Sequence, residues 1–447
     1  MVERSFYLVG SYWFELCECC IITGISTMRK PIELMSNETM NNKKIKLGLS
    51  GVGEFAEKCF IELFQNHPMV ESLAIADVDA ERLARIAEKF GIDVCYDSHS
   101  ALCESDVDAV AIFTQRHLHG PMSVEALKSG KHVYCAVPAA SSVAEVEELV
   151  KTVNETGLIY MMGETSYYYP SALYCREQFK KGKFGDFVYG EGEYRHDMSH
   201  GFYEAYQNSG GPNWQRVAGV PPMYYPTHST SMLISTTGQY LTQVSCLGYR
   251  DKVDDKVFGE GLNNWDNPFS NETALFRTSG GGMFRVNEFR RVGDLTGNSV
   301  RMSMTGTEGT YQEQGEHTCL WTSLDGESVD LTEELKCGEP DIDPSEKVGK
   351  GIQYDFFTGV SKYHPVERIP KEFFGLTNGH YGSHHFLVDD FCRSVIENKL
   401  APNHVWAAAR YTVPGLVAHA SAMQEGALMA IPDFGDPGAQ WQYLFED

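Results

Sequence analysis

The sequence predicts an α/β protein in which a doubly wound parallel sheet is followed by a second α/β domain with a large, mostly antiparallel open sheet. The first observation is a regular alternation of short apolar strands with helical patterns early in the chain. The second is a later series of strands with period-two alternation and turns between them. The 447 residues are enough for two cores. We expect domains at residues 43–165 and 166–435, with a tail at 436–447.

The residues before the first predicted strand do not fit either domain. Residues 1–42 begin with an apolar stretch, but Glu15 and Glu18 interrupt it, and a membrane span of roughly 20 residues would exclude two carboxylates. We expect this extension to be disordered or to precede the true translation start. It contains CECC, Cys17 to Cys20, but the second ligand cluster that zinc sites use is missing, so we predict no metal.

The composition excludes several classes of function. Apolar residues make up 42% and charged residues 22%, as in a globular protein. The net charge of −24, from 61 acidic and 37 basic residues, would repel nucleic acid and anionic lipid, so we expect neither partner. The twelve cysteines have no regular spacing, and several lie in apolar runs. Free thiols in a reducing cytoplasm explain them better than disulfides.

The predicted parallel sheet consists of short strands that alternate with helices. The strands read IKLGLS, ESLAIAD, DVCYD, DAVAIFT, HVYCAVP and GLIYMMG, and the helices between them include ERLARIAEKF, SALCES and HGPMSVEALKSG. In the fifth strand we expect the apolar run from Val133 to Val137 to end at Pro138. Alternation of this kind is typical of a parallel sheet with helices on both faces.

The second domain is predicted from alternating strands and three helical segments. The strands include FVYGEGEYRHDM, QVSCLGYRD, ETALFRTS, GGMFRVNEFRR and NSVRMSMTGTEGTYQEQ. The helices are TSMLISTTG, SHHFLVDDFCRSVIENK and VWAAARYTVPGLVAHASAMQEG, and the kink expected at Pro414 does not rule out the last one.

A glycine-rich turn follows the first strand and predicts a dinucleotide site. Gly51, Gly53 and Ala56 fit the pattern G-x-G-x-x-[G/A]: a tight turn, close approach of the backbone to a pyrophosphate, and close packing of helix on strand. The phosphates would lie over the helix N-terminus, as in the Rossmann fold. The candidate cofactor-binding residues in this turn are Gly51, Val52, Gly53, Glu54 and Phe55.

An acidic residue ends the second strand and favours NAD. Asp77 follows Gly51 by 26 residues, near the spacing of the acid that binds the adenosine ribose. An acid there repels a 2′-phosphate, and the next three residues include no arginine, so NAD is favoured over NADP. Further candidates lie past the carboxyl ends of later strands, where ligands bind in such sheets. They are Thr114, Gln115, His119, Ala136 and Pro138.

Three places concentrate candidate proton carriers. Glu164 ends the apolar strand GLIYMMG; Tyr194 and His196 are two residues apart, hence on one face of a strand; and Tyr225 and His228 lie in a turn that enters a helix. Packing or helix capping would explain either histidine equally well at this point.

A histidine-rich loop precedes the penultimate helix. His380 and His384 lie in TNGHYGSHHF, which has no accompanying carboxylate. We interpret them as loop or substrate contacts rather than metal ligands.

The order of these motifs resembles the Gfo/Idh/MocA oxidoreductases over about residues 43–435. The matching pieces are LGLSGVGEFA, IADVD, the loop after FT that ends in His119, GKHVYC, KGKFGDFVYGEGEY and MTGTEGTY. The resemblance implies an N-terminal Rossmann domain, a C-terminal α/β domain, NAD, a small-molecule sugar or related substrate, and a homo-oligomer (dimer or tetramer) formed through the open sheet.

One motif departs from the family. There KHVYC is usually followed by Glu-Lys-Pro, whose lysine assists the acid–base step, but here Ala136, Val137 and Pro138 follow. MMGET, GEGEYRHDM, YPTHS and GHYG resemble instead the family's NAD-dependent glycosidases, such as α-N-acetylgalactosaminidases. That resemblance implies sugar and cofactor contacts at the matching positions, which are Glu164, Tyr194, His196, Tyr225, His228 and His380.

These motifs lead to three functional hypotheses. The favoured one is an NAD-dependent oxidoreductase acting on a hydroxyl, at C3, of a sugar or glycoside. The first alternative is a glycosidase that oxidises C3 transiently, eliminates the aglycone and re-reduces the ketone. The second is a non-catalytic NAD-binding sensor, which the missing lysine suggests. In the enzymes, Tyr194 or His228 is the expected base: a neutral histidine suits this near pH 7, and a tyrosine does if a cation lowers its pKa.

Overall fold

The structure, a computed structural model, describes residues 43–293, 300–314, 318–338 and 359–445. The predictions for residues 1–42, including CECC, fall outside the described residues, as does part of the predicted tail.

The first sheet has six strands, all parallel, in the order β3-β2-β1-β4-β5-β6. β1 pairs with β4 from Leu47 opposite Ala109 to Ser50 opposite Ile112, and with β2 on its other side. The strands before β4 are added on one side of β1 and the later strands on the other, so the strand order reverses between β1 and β4. A crevice opens at the carboxyl ends of the strands at such a point. The strands are β1 Ile45–Ser50, β2 Val70–Ala76, β3 Val94–Tyr96, β4 Ala109–Ile112, β5 His132–Cys135 and β6 Tyr160–Met162.

Helices connect these strands, and local sequence sets several of their ends. The side chain of Asp79 accepts hydrogen bonds from the backbone at the start of α3 (Ala80–Phe90), and Gly91 ends that helix at a φ of +63°. Ser142 caps the start of α6 (Val143–Thr156), and Gly157 ends it. The helices are α1 Glu54–Cys59, α2 Ile61–Asn66, α3 Ala80–Phe90, α4 His99–Glu104, α5 His119–Lys128 and α6 Val143–Thr156.

The fifth strand is shorter than predicted. β5 ends at Cys135, not at Val137, because the chain leaves the sheet after the Ala136 N–H donates to the carbonyl of Ile112. The Val137–Pro138 peptide that follows is cis.

Within the described residues, the second sheet has nine strands in the order β14-β13-β12-β11-β7-β10-β9-β8-β15. It is antiparallel except where β10 pairs with β7 in parallel. The predicted strand NSVRMSMTGTEGTYQEQ is two strands, β11 and β12, joined by a turn. The strands are β7 Phe187–Arg195, β8 Leu241–Arg250, β9 Phe269–Thr278, β10 Met283–Phe289, β11 Val300–Gly306, β12 Gly309–Gln314, β13 Thr318–Ser323, β14 Ser328–Asp330 and β15 Met429–Ala430.

One helix connects the second sheet to the crevice. This helix, α10 (Thr227–Thr237), is buried over most of its length. It contacts β7, α7 (Pro170–Lys180) and α13 (Val405–Ala422), so its first turn is held rigidly. All three predicted helices form, and Pro414 lies inside α13 without ending it. The helices are α7 Pro170–Lys180, α8 Tyr203–Ser209, α9 Trp214–Ala218, α10 Thr227–Thr237, α11 Thr332–Leu335, α12 Ser383–Glu397 and α13 Val405–Ala422.

Three chemical features of the described residues bear on function. All nine of their cysteines are free thiols. None of their helices is both long and apolar enough to cross a membrane. Within the same part of the chain, no group of three or more His, Cys, Asp or Glu side chains is arranged to hold a metal ion.

Buried histidines make stability depend on pH. Burial lowers the pKa of seven histidines to about 4 or about 3, whereas in the unfolded chain they titrate near pH 6.5. The unfolded state therefore binds more protons below that pH, and we expect the free energy of unfolding to fall as the pH drops from about 6.5 towards 4. Urea unfolding between pH 8 and 4.5 measures this. The seven are His119, His132, His364 and His385, near 4, and His196, His384 and His404, near 3.

A single variant separates this effect from general acid denaturation. His404 precedes α13, and its ring accepts the N–H of Ala407. Asparagine caps a helix equally well but does not titrate, so His404→Asn should keep the stability at pH 8 and reduce the slope below pH 6.5 by about 1.4 kcal/mol per pH unit. A slope identical to that of the unchanged protein would contradict this expectation.

Candidate functional site

A cavity of about 730 Å³ lies at the carboxyl edge of the first sheet. The turns after β1, β2, β4 and β5 line one side, and residues of β7, of the segment 200–209 and of the 380–381 turn line the other. Of the predicted cofactor-binding residues, nine line it directly. They are Gly51, Gly53, Glu54, Phe55, Asp77, Thr114, Gln115, His119 and Ala136.

The glycine turn has the shape that a dinucleotide needs. Gly51 has a φ of +86°, and a Cβ there would lie 2.9 Å from Cγ2 of Thr114 and 3.0 Å from the backbone of Phe113. A Cβ on Gly53 would meet nothing within 4 Å, so the backbone there is open towards the cavity. The first glycine is thus required by the fold, whereas the second leaves room for a phosphate group.

The two glycines allow a matched test. We expect Gly51→Ala to lower the free energy of unfolding by about 1–2 kcal/mol or more, because alanine is strained at positive φ and clashes with Phe113. Gly53→Ala should change stability by less than about 0.5 kcal/mol, yet weaken NADH binding about 10-fold or more, because its methyl group occupies the space that a pyrophosphate needs. Denaturant unfolding and NADH fluorescence titration measure the two effects. Normal NADH affinity in Gly53→Ala would show that the phosphates lie elsewhere.

Asp77 lies beneath this turn and has an unexpected partner. Its carboxylate accepts the N–H of Val52 at 2.9 Å and that of Asp79 at 2.9 Å. The guanidinium of Arg82 also lies 3.2 Å from one oxygen and 3.3 Å from the other, and Arg82 lines the cavity. The three residues after Asp77 include no arginine, but the first turn of α3 places the side chain of Arg82 against the Asp77 carboxylate.

Cofactor preference therefore depends on an ion pair. We expect Asp77→Ser to weaken NAD binding about 10-fold and to raise the ratio of NADP to NAD affinity about 100-fold. Arg82 would then keep Asp79, 3.1 Å away, as its remaining carboxylate partner and would have donors available for a 2′-phosphate. Arg85→Ala is the control, since Arg85 lies on the same helix, pairs with Glu57 and does not line the cavity. Fluorescence titrations with NADH and NADPH measure the ratio of the two affinities in each variant. An unchanged ratio in Asp77→Ser would exclude the ion pair as the determinant of cofactor preference.

The remaining predicted cofactor residues differ in position. Ala136 lines the cavity, whereas the Val52 side chain is fully buried in the core. The ring nitrogens of His119 lie 2.8 Å from the carbonyl of Pro138 and 3.1 Å from that of Thr114, so it joins the turns after β4 and β5. Pro138 contributes that carbonyl but is not itself part of the cavity wall, where Val137 takes the position of the family's lysine.

A buried carboxylate and a histidine form the chemical centre of the cavity. Oε1 of Glu164 lies 2.7 Å from Nδ1 of His228 and also accepts the N–H of Ser166. Glu164 is fully buried and His228 is 2% exposed, but the His228 ring lines the cavity. A carboxylate on Nδ1 makes that nitrogen the donor and leaves Nε2 as an acceptor. No lysine lines the cavity in the described part of the chain, so this pair is the candidate acid–base centre.

Tyr194 lies beside this pair but is a poor base. Its ring centroid is 5.2 Å from that of His228, and the guanidinium of Arg290 lies 4.7 Å from its ring. Burial raises the pKa of Tyr194 above its ordinary value, although Arg290 and Arg116 oppose that shift. The hydroxyl therefore stays protonated and serves as a hydrogen-bond donor.

His196 contacts Tyr194 but is packed against other rings. Its ring centroid is 5.4 Å from that of Tyr194, and it stacks on Phe202 at 4.2 Å and on His200 at 4.9 Å. Burial lowers its pKa to about 3, so it is neutral at pH 7. It lines the cavity as a wall rather than as a charged group.

The predicted substrate residues lie around His228. The rings of Tyr225 and His380 are 5.2 Å and 5.8 Å from it, and both line the cavity. His384 does not line the cavity; its Nε2 lies 2.9 Å from Nδ1 of His380, and its ring packs on Phe60. It supports His380 from behind.

Several cavity residues escaped the sequence analysis. Arg116 follows the two predicted residues Thr114 and Gln115, and its position past the carboxyl end of β4 could have indicated it. Phe202 and Tyr206 belong to a segment with no motif, and only folding brings it over the cavity.

The fold and the site together define a class of protein. A six-stranded parallel sheet, a positive-φ glycine turn at its switch point and an acid after the next strand are the features of a dinucleotide-binding Rossmann domain. Residues 45–164 match the model of the oxidoreductase family with an NAD-binding Rossmann fold, GFO_IDH_MocA. The resemblance to that family is confirmed, and residues 45–164 correspond to the NAD-binding domain that the family model describes.

Two kinds of relative share this sequence. The 4-carboxy-2-hydroxymuconate-6-semialdehyde dehydrogenase of Sphingobium sp. strain SYK-6 is 34% identical over 140 residues, 31% of this chain and 44% of that protein. A glycosyl hydrolase family 109 protein of Shewanella sp. strain W3-18-1 is 23% identical over 410 residues, 87% of this chain and 85% of that protein. The chain thus spans less than half of the first relative but most of the second.

Solved structures share the whole fold at low identity. Levoglucosan dehydrogenase in complex with NADH and levoglucosan has a TM-score of 0.64 at 17% identity, with 88% of this chain and 100% of that one covered. Myo-inositol 2-dehydrogenase from Lactobacillus plantarum has a TM-score of 0.61 at 18% identity, with 87% and 100% covered. The predicted fold class, a parallel Rossmann sheet plus a mostly antiparallel one, is confirmed.

Proposed function

We propose that this protein is an NAD-dependent oxidoreductase that oxidises or reduces a hydroxyl, at C3, of a sugar or glycoside. The observation that carries the proposal is that His228, whose Nδ1 lies 2.7 Å from the buried carboxylate of Glu164, lines the same cavity as the glycine turn at Gly51 and Gly53. An acid–base pair next to a dinucleotide site is what alcohol oxidation requires. Solved structures of the same fold with NADH and a sugar support it.

The chain's own residues move the proton. Nε2 of His228 removes the hydroxyl proton of the substrate, and Glu164 holds Nδ1 as the donor and stabilises the positive charge that develops on the ring. NAD held at the Gly51–Gly53 turn would supply the acceptor for the hydride of the substrate carbon. The Tyr194 hydroxyl, kept protonated by burial, donates a hydrogen bond to the reacting oxygen. In the reverse reaction the same groups return the proton.

A second candidate is a glycosidase that uses the same first step. The alignment with a family 109 glycosyl hydrolase over 85% of its length favours it. A ketone at C3 acidifies the proton at C2, and loss of that proton expels the group at C1. The cavity would then need a second base besides His228. The candidate is His380, whose ring centroid lies 5.8 Å from that of His228. Burial lowers the pKa of His380, so its ring is neutral.

The experiment that tests the proposal follows two products at once. The purified protein, with and without added NAD, is incubated with nitrophenyl α- and β-hexosides and with free hexoses, hexuronates and cyclitols. NADH formation without nitrophenol supports the oxidoreductase, whereas nitrophenol without net NADH supports the glycosidase. NADH binding with neither product on any compound would favour the non-catalytic sensor and overturn both proposals.

We also propose that the chain forms a homo-oligomer through the outer face of the second sheet. Leu247 on β8, Leu275 on β9 and Met283 on β10 lie on neighbouring strands and are between 46% and 64% exposed. Exposed apolar groups on one open sheet face are typical of an interface. Light scattering tests this, and a monomeric mass would contradict it.

A further inference from the structure

Arg116 is a cation in the cavity wall that the proposed chemistry does not use. It begins the 3-10 turn Arg116–Leu118 after β4. Its guanidinium lies over the ring of Tyr225 at 4.4 Å and near the rings of Phe202 at 5.3 Å and Tyr206 at 5.4 Å, and it donates a hydrogen bond to the Tyr206 hydroxyl. All of these aromatic partners also line the cavity.

Among the described residues, Arg116 has no carboxylate partner. Two neighbouring arginines each have one. Arg82, in the cavity wall, pairs with Asp77 at 3.2 Å, and Arg290, beside the Tyr194 ring, pairs with Glu288 at 3.1 Å. A guanidinium has five N–H donors, and the contacts of Arg116 use only the phenols of Tyr206 and Tyr225. A partly buried cation with free donors is unfavourable until an anion completes it.

The position of Arg116 assigns that anion to the substrate rather than to the cofactor. Cofactor phosphates belong at the Gly51–Gly53 turn, whereas the aromatic residues around Arg116 come from the second domain. Tyr225, on which the guanidinium stacks, has its ring centroid 5.2 Å from that of His228. An anion on Arg116 would therefore lie about one side chain away from the hydroxyl whose proton His228 removes.

The size and overall charge of the protein narrow the choice of anion. The cavity of about 730 Å³ must also hold a dinucleotide, which leaves room for a small molecule. A net charge of −24 repels anions at long range, so an anionic substrate needs a cation inside the site. The planar fork of an arginine matches a carboxylate in a bidentate arrangement.

We infer that Arg116 binds the carboxylate of the substrate, and that the substrate class is a sugar acid, such as a hexuronate, rather than a neutral sugar. This inference rests on the proposed oxidoreductase function and adds a charged group, the C6 carboxylate, to the sugar whose C3 hydroxyl reacts. Arg116 acts as a specificity-determining residue: it orients the acid so that the hydroxyl faces Nε2 of His228.

The first test measures turnover of matched substrates. Glucuronate, galacturonate, the parent hexoses and the hexose 6-phosphates are compared by NADH formation. We expect kcat/KM for a hexuronate to exceed that of its neutral parent by about 10- to 100-fold, and Arg116→Gln to remove this difference. Arg116→Lys should retain part of the preference. Equal use of acid and neutral sugar, or a preference for the 6-phosphate, overturns the inference while leaving the oxidoreductase intact.

The second test needs no turnover, so it stands if the proposed function fails. Hexuronate and hexose are titrated by calorimetry into the protein saturated with NADH, where no oxidation occurs. The acid should bind about 10-fold or more tightly than the hexose in the unchanged protein and in Arg216→Gln, whose arginine bonds Asn264 outside the cavity. In Arg116→Gln the two affinities should be equal, at unchanged NADH affinity. No measurable difference in the unchanged protein would refute the inference.

Discussion

Replacing His228 by asparagine is expected to lower kcat for sugar oxidation about 10³-fold and to leave NADH binding within about 2-fold. General acid–base groups contribute typically 10²–10⁴-fold, and no lysine lines the cavity in the described part of the chain to substitute for this one. Asparagine can still donate to Glu164 in place of Nδ1, so the buried carboxylate keeps a partner. Initial rates of NADH formation and NADH fluorescence titration measure the two quantities.

The chain contains a matched control for this variant. His419 and Glu272 form a second buried pair, also 2.7 Å apart, and neither residue lines the cavity. His419→Asn therefore makes the same chemical change in similar surroundings and should lower stability without a comparable loss of kcat. If His228→Asn retained more than about a third of the activity, Tyr194 or another group would have to be the base.

Replacing Glu164 by glutamine is expected to lower kcat about 10²-fold or more. The amide can donate a hydrogen bond to Nδ1 of His228, which favours the tautomer with the proton on Nε2, and that nitrogen then has no lone pair for the substrate proton. The positive charge that forms on the ring during proton removal also loses its partner. KM for the substrate should change little, because Glu164 lies behind His228 and is fully buried.

Glu272→Gln is the control for this second variant. Glu272 accepts the N–H of Met223 in addition to its contact with His419, so the substitution disturbs the fold at least as much as Glu164→Gln does. A loss of kcat in Glu164→Gln that Glu272→Gln does not share assigns the effect to the position beside His228. Equal losses in both would mean that general stability, and not the tautomer of His228, limits the rate.

Local pattern accounts for the parts of the fold that were predicted correctly. The alternation of strand and helix and the glycine turn at Gly51 depend on residues close in the chain, and both formed as expected. The end of β5 was predicted two residues too late, because Ala136 and Val137 are apolar and continue the pattern of the strand, whereas the pairing with β4 ends at Ala136.

The ion pairs of the site were less accessible to sequence reasoning. Asp77 was predicted to face the ribose alone, but the turn of α3 returns Arg82 to it across five positions. Arg116 lies between the candidate residues Gln115 and His119, and no sequence motif distinguishes it from a solvated arginine. Its lack of a carboxylate became visible only when the second domain enclosed it in aromatic rings.

The sequence by itself determined the class of fold, the NAD-binding turn and the short set of side chains from which an acid–base centre would be drawn, because these follow from periodicity and short motifs. Only the tertiary structure decided which of them act together. Glu164 and His228 are 64 residues apart, on different elements, and meet because α10 packs against the turn Thr165–Tyr168 that follows Glu164. Burial also raises the pKa of the neighbouring Tyr194, because a low-dielectric site disfavours the charged form of a phenol.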